Sequence, residues 1–387
     1  MPAPLYLDHN ASSPPFPEVV DAMLPWLQEG HANPHSDHLH GRRAAMAVAQ
    51  AKASIGALVG ADADDIVLTS GATESNNLVL QGFLGFHGSR AALIHSAIEH
   101  ACVMETGEFL AAKGVRRIVV GVDKHGRIDP QVVRESVEAA NGARTLVSLI
   151  HANNEIGTVA RLAEVSAAID GTGALFHSDA SQSAGWVNLD VGPMGLDFLT
   201  LSSHKLGGPA GIGALFVAPD LRQELSPLSF GGGQQGGLRP GSIPVFLAVG
   251  FGVACDLAAK RRSEDVRHSN ALVEAFIHEL KERSVAFEIL GDPEQRLPGL
   301  LSVRLHGVDA RDLLDRLGPR LSASTSSACA AGELRASHVL RAIGLTEAEA
   351  VEVMRLGFGR CTTLHEARAA SNLVCDALEA SRSSRVD

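Results

Sequence analysis

The sequence has few cysteines, and their spacing argues against two kinds of site. Five cysteines are spread along 387 residues without a Cys-X-X-Cys pair: Cys102, Cys255, Cys329, Cys361 and Cys375. An odd number of widely separated cysteines is typical neither of a disulfide framework nor of a structural zinc site. The pattern predicts a reducing, cytoplasmic setting, and we interpret all of them except Cys329 as small core or helix residues.

Long apolar segments and long runs of one charge are also missing. The longest uncharged stretch, residues 240–255, includes Pro244 and three glycines. It is shorter than the roughly 20 apolar residues that cross a membrane, and we interpret it as the start of a buried helix. The N-terminus lacks a basic segment followed by an apolar one, so no signal peptide is predicted. The net charge is −11 without a basic cluster, which argues against nucleic acid as a direct partner.

Lysine is scarce, and one of the six lysines has unusual surroundings. Five lie in charged helical or turn patterns, whereas Lys205 follows an apolar strand pattern and precedes a Gly/Pro-rich loop in "LDFLTLSSHKLGGPAGIGAL". An ammonium group in apolar surroundings has a lowered pKa and can form a Schiff base. The alternative is a surface lysine after a strand. If Lys205 does form a Schiff base, pyridoxal phosphate is the cofactor to expect.

Short apolar runs alternate with amphipathic helical patterns over about the first 220 residues. Strand patterns such as "DIVLTS", "AALIHSA" and "TLVSLIHA" are separated by helical patterns such as "ATESNNLVLQGFLGF". This alternation predicts βαβ units, and therefore a mostly parallel sheet with helices on both faces. Later, a long charged helical pattern leads into a smaller α/β unit. We expect a large domain over residues 15–255 and a small domain formed by residues 1–14 and 256–387.

Three further groups follow predicted strands and suit the same cofactor, which needs an acid at its pyridine nitrogen, a phosphate site and a ring contact. Asp179 ends the strand pattern "ALFHSD", and parallel sheets bind ligands at the carboxyl ends of their strands. Residues 71–73 lie where a strand gives way to a helix, and helix N-termini bind anions. His100 follows another strand and is a candidate for the ring contact. Each of these groups also has an ordinary interpretation. Asp179 can be a turn residue, residues 71–73 can be a helix cap with Glu74 in the first turn, and His100 can be a structural histidine.

Residues 321–340, "LSASTSSACAAGELRASHVL", surround Cys329 with small and polar residues. Buried structural cysteines usually lie among larger apolar side chains. A loop of small residues buries little apolar area and gains little from staying packed. Cys329 is therefore either a nucleophile on a loop or an incidental small residue. The stretch that starts at Glu333 is predicted to begin a helix.

Motifs along nearly the whole chain resemble those of cysteine desulfurases of the NifS/IscS type, which are class-V members of the fold-type-I pyridoxal-phosphate enzymes. The motifs are "YLDHNASSP", "NPHSDHLHG", "TSGATESNN", "IEHACV", "HANNEIGT", "HSDASQSAG", "LSSHKLGGPAGIGAL", "GGGQQGGLRPGS", "SSACAAGELRASHVLRAIG" and "MRLGFGR". The resemblance implies an α/β fold: a large domain with a mostly parallel seven-stranded sheet flanked by helices, and a smaller C-terminal α/β domain that carries the cysteine. It also implies the reaction, in which sulfur is removed from L-cysteine to give L-alanine and a persulfide on Cys329.

The resemblance also implies roles for individual residues. Lys205 would form the Schiff base, and Cys329 would be the nucleophile. His100 would stack on the cofactor ring and take part in catalysis as a candidate base for the Cys329 thiol. Asp179 would pair with the pyridine nitrogen, and Arg355 would hold the substrate carboxylate. Asn154 and Gln182 would lie near the ring hydroxyl, and Asn154 would also lie near the substrate. The phosphate would be bound by Ala72, Thr73, Ser202 and His204.

The chain departs from the usual family pattern in three motifs. Ser242 matches the position that reaches the phosphate of the other subunit, which implies a homodimer with shared active sites, but its motif reads "RPGS" instead of Arg-Ser-Gly-Thr. The opening motif reads "HNASSP", and the Gly-rich loop contains "QQG". The chain also ends soon after its last helical pattern, without the longer tail with which some relatives hold a scaffold protein. The sulfur acceptor therefore stays open among an iron–sulfur scaffold, a tRNA-thiolation relay and a DNA-modification system.

Three alternatives stay open on the sequence. A class-V aminotransferase would use Lys205 and Asp179 without needing Cys329, whereas a selenocysteine lyase would share the whole site. A metal site would use the histidines of "HANPHSDHLHG", which are His31, His35, His38 and His40. Their spacing fits no single helix face, and Pro34 interrupts a helix there, so the metal site is the weakest of the three.

Overall fold

The computed structural model describes residues 4–30, 32–325, 328–330 and 333–383, with the backbone alone for residues 328–330, 333–335 and 381–383. In chain order, the strands and helices of the first part are β1 (Leu5–Tyr6), α1 (Pro17–Gln28), α2 (Leu39–Val59), β2 (Ile66–Thr69), α3 (Ala72–His87), β3 (Ala91–Ser96), α4 (Ala101–Ala112), β4 (Arg116–Val120), α5 (Pro130–Ala139), β5 (Arg144–Ile150), α6 (Leu162–Ile169), β6 (Leu175–Asp179), β7 (Phe198–Ser202) and β8 (Gly213–Val217). The alternation of strands and helices predicted from the sequence is confirmed here, with small differences at the element ends.

Seven strands form one sheet in the order β2-β8-β7-β6-β5-β3-β4. Neighbouring strands from β7 to β4 are parallel, and β8 is antiparallel to both of its neighbours. Every residue of β3, β6 and β7 is buried, as expected of strands that helices cover on both faces. The mostly parallel seven-stranded sheet is therefore confirmed.

The chain reverses its direction across this sheet at β3. Strand β4 pairs with one edge of β3, and β5 pairs with the other edge. In open α/β sheets, ligands bind outside the carboxyl ends of the strands at such a switch point. His100 follows β3, Asn154 follows β5 and Asp179 ends β6. The strand order itself therefore brings these three predicted ligands to one place.

The second part of the chain contains a long helix and a smaller sheet. Its elements are α7 (Val245–Glu282), β9 (Phe287–Ile289), β10 (Leu300–Leu305), α8 (Ala310–Leu317), β11 (Leu321–Ser322), β12 (Ser324–Thr325), β13 (Ala328–Ala330), β14 (Glu333–Arg335), α9 (His338–Ala342), α10 (Glu347–Ala350), β15 (Val353–Gly357) and α11 (Leu364–Ser383). Strands β12, β15, β10 and β9 form an antiparallel sheet in that order, and β1 pairs in parallel with β11. No helix within the described residues is both long and apolar enough to cross a membrane.

Helix α7, which is 38 residues long, contributes to two apolar cores. Its first part packs against α1 and α2 beside the large sheet. Further along, Leu272, Phe276 and Leu280 repeat every four residues and pack into the core under the small sheet. The apolar stretch 240–255 does lead into this helix, as predicted. The predicted domain boundary at residue 255 falls inside the helix and stays a prediction.

The cysteine segment differs from its prediction in two ways. Residues Glu333–Arg335 are expected to begin a helix, but they form β14, which pairs antiparallel with the strand β13 that contains Cys329. The helix begins at His338 instead, because the Ser337 hydroxyl caps it by accepting a hydrogen bond from the Val339 N–H at 3.0 Å. The backbone of Cys329 therefore lies in a short strand paired with β14 and not in a loop.

Candidate active site

A cavity of about 600 Å³ lies at the carboxyl ends of β3, β5 and β6. It is lined by ten of the residues that the sequence singled out, namely Ala72, Thr73, His100, Asn154, Asp179, Gln182, Ser202, His204, Lys205 and Arg355. Asn10, Ala11, Ser12 and Ser181 line it as well and were not predicted. The structure thus brings groups from the large sheet, the N-terminal segment and the small sheet into one space.

Two predicted site residues are not among those that line this cavity. Ser242 is exposed and lies in a separate cavity with Trp26, Leu27 and Phe246. Cys329 is opposite Leu334 in the β13–β14 pair, and its side chain lies outside the part of the chain that the structure describes. The roles predicted for both residues therefore stay predictions.

Lys205 is the last residue of a single 3₁₀ turn, Ser203–Lys205, which follows β7. Its Nζ donates hydrogen bonds to the backbone carbonyls of Asn10 and Ala11, at 2.5 Å and 2.7 Å. Burial removes water from the ammonium group, and the nearby Arg355 repels it, so the pKa of Lys205 falls to about 8. A lysine with this pKa is partly neutral near physiological pH and can act as a nucleophile or a base.

Asp179 is buried at the end of β6, and neighbouring donors fix its carboxylate. The Ser181 N–H and hydroxyl both donate to Oδ1, at 2.9 Å and 2.5 Å. The amide Nδ2 of Asn76, on α3, donates to Oδ2 at 2.7 Å. Burial also lowers the pKa of the adjacent His177 to about 4, so that this imidazole stays neutral. The Asp179 carboxylate therefore has a fixed orientation where the sheet borders the cavity.

The N-terminus of α3 faces the same cavity through Gly71, Ala72 and Thr73. The first N–H groups of a helix have no partner within the helix and attract anions. Glu74 does not compete for this role, because its Oε1 accepts from Arg239 Nε at 2.8 Å and its Oε2 accepts from the Ser70 N–H at 2.7 Å. Glu74 thus bonds the N–H of Ser70, which precedes the helix, and leaves the first N–H groups of α3 to an anion.

The opposite side of this anion site is formed by Ser202 and His204, whose Oγ and Nδ1 atoms are 3.0 Å apart. Burial and the neighbouring Lys205 lower the pKa of His204. Strand β8 approaches the site closely at Gly213, where a Cβ atom would lie 2.7 Å from the Gly71 Cα. A residue without a side chain is therefore required at position 213 to keep the strand and the anion site together.

Arg355 lies in the middle of β15 with a guanidinium group that is only partly paired. Its Nη2 donates to Asp8 Oδ1 at 2.8 Å, and its Nη1 donates to the Asn154 carbonyl at 3.1 Å. Its Nε is buried and has no hydrogen-bond partner among the described residues. A buried, unpaired donor on a cation is costly, so this edge of the guanidinium is suited to an anionic ligand such as a carboxylate.

Glu99 connects the ends of β3 and β5, and His100 follows it at the start of α4. His100 caps α4: its Nδ1 accepts from the Cys102 N–H at 3.2 Å. Glu99 is fully buried, and its Oε1 accepts from the Ile150 N–H at 2.9 Å and from the Ser96 hydroxyl. Burial raises the pKa of Glu99 to about 8. Nothing in the sequence singles out Glu99, since a glutamate is usually exposed.

The histidines of the proposed metal site do not converge in the part of the chain that the structure describes. His38 caps α2 by accepting from the Gly41 N–H at 3.2 Å, and the rings of His38 and His40 are 6.0 Å apart. His31 lies outside the described residues. Within those residues, no group of three or more histidine, cysteine or acidic side chains is placed to hold a metal ion.

The residues of the large cavity fit pyridoxal phosphate. An amine with a lowered pKa suits the aldehyde group, and a fixed carboxylate suits the pyridine nitrogen. The open N–H groups of α3, with Thr73, Ser202 and His204, suit the phosphate. The unpaired Nε of Arg355 remains for a substrate carboxylate.

Residues 5–369 of the chain match the class-V aminotransferase family. A cysteine desulfurase IscS of Rickettsia typhi (strain ATCC VR-144 / Wilmington) is 35% identical to the chain over 378 residues, which cover 97% of this chain and 91% of that protein. The similarity thus includes both the large sheet and the segment around Cys329.

Solved structures are similar over the same length. A NifS-like protein has a TM-score of 0.90 at 28% identity, with 97% of this chain and 99% of that chain covered. A structure of SspA in complex with cysteine has a TM-score of 0.79 at 35% identity, with 92% and 99% covered. Both similarities extend beyond the sheet to nearly the whole fold.

Proposed function

The chain belongs to the class-V aminotransferase family, and we propose that within this family it is a pyridoxal-phosphate-dependent cysteine desulfurase. The named relatives support cysteine desulfuration, and one similar structure is described as a complex with cysteine. The observation that carries the proposal is the cavity in which the amine of Lys205, the carboxylate of Asp179 and the unpaired edge of Arg355 meet. No observation favours the aminotransferase or selenocysteine lyase alternatives.

Binding of L-cysteine would begin at Arg355. The unpaired Nε and one Nη group form one edge of the guanidinium, and such an edge binds a carboxylate through two parallel hydrogen bonds. The Asn154 carbonyl accepts one hydrogen of Nη1 and Asp8 accepts one hydrogen of Nη2, so the plane of the guanidinium is already set before substrate arrives. This arrangement selects a ligand with a free α-carboxylate.

The cofactor would be held by groups from both sides of the cavity. Lys205 would bind its aldehyde carbon, and His100 would lie against its ring. Ala72, Thr73, Ser202 and His204 would hold the phosphate, with Asn154 and Gln182 near the ring hydroxyl. Pyridoxal phosphate supplies an electron sink that weakens the bonds around the substrate's Cα and Cβ. The Asp179 carboxylate, fixed by Asn76 and Ser181, would keep the ring nitrogen protonated.

Lys205 would move the proton at the substrate's Cα. Its pKa of about 8 makes the neutral amine available near physiological pH, and a base matched to the working pH is the most effective. The carbonyls of Asn10 and Ala11 accept from Nζ and so define where the amine rests when it is not bonded to the cofactor. The same two carbonyls disperse the charge once Lys205 has gained a proton.

Cys329 would receive the sulfur. Its thiolate would attack the sulfur of the substrate, so that a sulfur–sulfur bond forms and the carbon–sulfur bond breaks. The electron pair of the broken bond stays with the substrate carbon, which gains a proton and becomes the methyl group of alanine. The sulfur atom remains on Cys329 as a persulfide, ready for transfer to an acceptor thiol or scaffold protein. The acceptor would belong to iron–sulfur cluster assembly or to a thio-modification pathway in the cytoplasm.

Two features support a homodimer with shared active sites. Val20, Leu24 and Leu27 are exposed on one face of α1, and an apolar stripe of this kind is typical of a protein interface. Leu27 shares a cavity with the exposed Ser242. The stripe is therefore placed beside the residue that is proposed to reach the phosphate of the second subunit.

The proposal is tested on the purified full-length protein with added pyridoxal phosphate. Borohydride should fix the cofactor to the peptide that contains Lys205, as located by mass spectrometry. Incubation with L-cysteine and a thiol reductant should give equal amounts of alanine and sulfide, and Lys205→Ala should abolish both. Covalent labelling at another lysine, or the formation of pyruvate in place of alanine, would contradict the proposal.

A further inference from the structure

Cys102 lies where three groups of the cavity wall meet. Its Sγ is 3.1 Å from His100 Nδ1 and 3.1 Å from Asn76 Nδ2. The same Asn76 amide donates to Asp179 at 2.7 Å. The sequence suggests only a packing role for Cys102. Its contacts instead connect the proposed ring contact, His100, with the nitrogen-binding acid, Asp179, through Asn76.

The positions of the hydrogen atoms in this cluster follow from two groups that can donate a hydrogen bond but cannot accept one. The backbone N–H of Cys102 donates to His100 Nδ1 at 3.2 Å, so Nδ1 carries no proton and the neutral ring carries its proton on Nε2. The Nδ2 of Asn76 is identified by its bond to the Asp179 carboxylate, and it can only donate to the sulfur. The sulfur therefore accepts from Asn76 and donates its own hydrogen to His100 Nδ1.

The surroundings of Cys102 keep this hydrogen on the sulfur. Burial of the thiol, together with the negative charge of Asp179, raises the pKa of Cys102 to about 12. The thiol is consequently protonated throughout the physiological range. It is a hydrogen-bond donor in the cavity wall and not a second thiolate that would compete with Cys329.

We propose that Cys102 is a positioning residue that holds His100 as the neutral Nε2-protonated tautomer and joins its ring to Asp179 through Asn76. The inference deepens the proposed function, on which the role of His100 depends. A fixed tautomer has a chemical consequence. Nδ1 cannot take a proton from the Cys329 thiol without losing both hydrogen bonds from residue 102, so that role would pass to another base.

Charged and titratable groups also surround His100 from other elements. Those that line the cavity are Glu74, Asp179, His204, Lys205 and Arg355, and Glu99 precedes His100 in the chain. The hydrogen bonds described for the His100 ring come from the backbone and side chain of Cys102.

The first test is an NMR measurement of the side-chain nitrogens of His100. It uses the full-length protein loaded with pyridoxal phosphate and labelled with isotopic histidine, and the His100 signals are assigned by their loss in His100→Gln. At neutral pH we expect an unprotonated Nδ1 and a protonated Nε2. A proton on Nδ1, or on both nitrogens, would overturn the proposal.

The second test compares two substitutions at position 102. Cys102→Ala removes the side-chain donor to Nδ1, so the Nδ1 resonance of His100 should move downfield, because hydrogen bonds to an unprotonated ring nitrogen move its resonance upfield. Cys102→Ser keeps a donor and an acceptor, and its Nδ1 resonance should stay close to that of the unchanged protein. An unchanged Nδ1 resonance in Cys102→Ala would overturn the proposal. Cysteine turnover is measured separately, so loss of desulfuration with the expected tautomer would count against the proposed function alone.

Discussion

Arg355 and Asp8 form an ion pair across 347 positions of sequence, with Nη2 2.8 Å from Oδ1. The other carboxylate oxygen of Asp8 accepts from the Ser324 hydroxyl at 2.7 Å. Ser324 lies opposite Arg355 in the β12–β15 pair, a few residues before Cys329. One carboxylate therefore joins the N-terminal segment, the proposed substrate arginine and the strand that leads to the nucleophile.

The charge of Asp8 should weaken the binding of substrate. In Asp8→Asn, Arg355 loses its anionic partner, and the substrate carboxylate no longer shares the guanidinium with Asp8. We expect the KM for cysteine to fall about threefold to tenfold with little change in kcat, since a contact present in both ground state and transition state is altered. Steady-state kinetics measure this, with the exposed Asp220→Asn as the control. A higher KM would show that Asp8 mainly orients Arg355.

The lowered pKa of Lys205 should be visible in cofactor uptake. The pKa is about 8 instead of the ordinary 10.5. Between these two pH values the folded protein therefore binds fewer protons than the unfolded chain. The free-energy cost of burying the ammonium group is relieved as the pH rises through 8. The rate at which pyridoxal phosphate binds covalently to the cofactor-free protein should rise with a midpoint near pH 8 and then level off.

Two substitutions should shift this midpoint in opposite directions. Arg355 lowers the pKa of Lys205 and Asp8 raises it. Arg355→Gln should therefore move the midpoint upward, and Asp8→Asn should move it downward. Stopped-flow absorbance at several pH values measures both. Shifts of the same sign in the two variants would be inconsistent with this electrostatic account.

The close approach at Gly213 should make the anion site sensitive to a single methyl group. The Cβ of an alanine would lie 2.7 Å from the backbone of Gly71 and 2.8 Å from the Leu201 carbonyl, and neither contact involves a flexible side chain. We expect Gly213→Ala to lower the free energy of unfolding by about 1–3 kcal/mol and to weaken cofactor binding at least about tenfold. Gly121→Ala is the matched control, because no atom lies within 4 Å of the added group there. Equal behaviour of the two variants would exclude the steric explanation.

Glu99 should make the protein less stable as the pH rises. Its pKa in the folded protein is about 8 instead of the usual 4.5, so the folded state holds a proton that the unfolded chain releases. The stabilisation is complete below the unfolded pKa and is lost as the pH rises through 8. Oε2 has no hydrogen-bond partner among the described residues, so no donor there favours the ionised form. Glu99→Gln mimics the protonated form. The fall of the free energy of unfolding with pH should therefore be smaller in this variant by up to about 1.4 kcal/mol per pH unit.

The Glu99 prediction is measured by denaturant unfolding at a series of pH values. Glu99→Ala serves as the contrasting variant: it leaves the Ile150 N–H without an acceptor and should be about 1–3 kcal/mol less stable at every pH. If Glu99→Gln retained the full pH dependence of the unchanged protein, another group would be responsible for it.

The sequence predicts those parts of the site whose positions depend on strand and helix patterns in short stretches of the chain. A parallel sheet puts the carboxyl ends of its strands at one edge, so Asp179, His100 and the start of α3 could be placed together from strand and helix patterns alone. Lys205 stands out because it follows an apolar strand pattern and precedes a Gly/Pro-rich loop, whereas the other lysines lie in charged patterns. These signals involve short stretches of chain and do not require knowledge of tertiary contacts.

The groups that tune the site were not predictable in this way. The Lys205 amine is held by backbone carbonyls of Asn10 and Ala11, and a backbone carbonyl has no signature in a sequence. Asp8 meets Arg355 because β1 pairs with β11 and because Asp8 itself bridges to Gly357, the last residue of β15. Cys102 resembles any small helix residue until His100 and Asn76 are placed on either side of its sulfur.

The central claim is that Cys329 receives the sulfur of cysteine, and one measurement tests it directly. The protein loaded with pyridoxal phosphate is given sulfur-labelled cysteine without reductant, alkylated, digested and analysed by mass spectrometry. We predict one labelled sulfur on Cys329, with one alanine released per label. In Cys329→Ala both should be lost while the cofactor stays on Lys205, and Cys361→Ala, at an exposed cysteine, should behave as the unchanged protein. A label on Cys102 or Cys361, or full alanine formation in Cys329→Ala, would contradict the account.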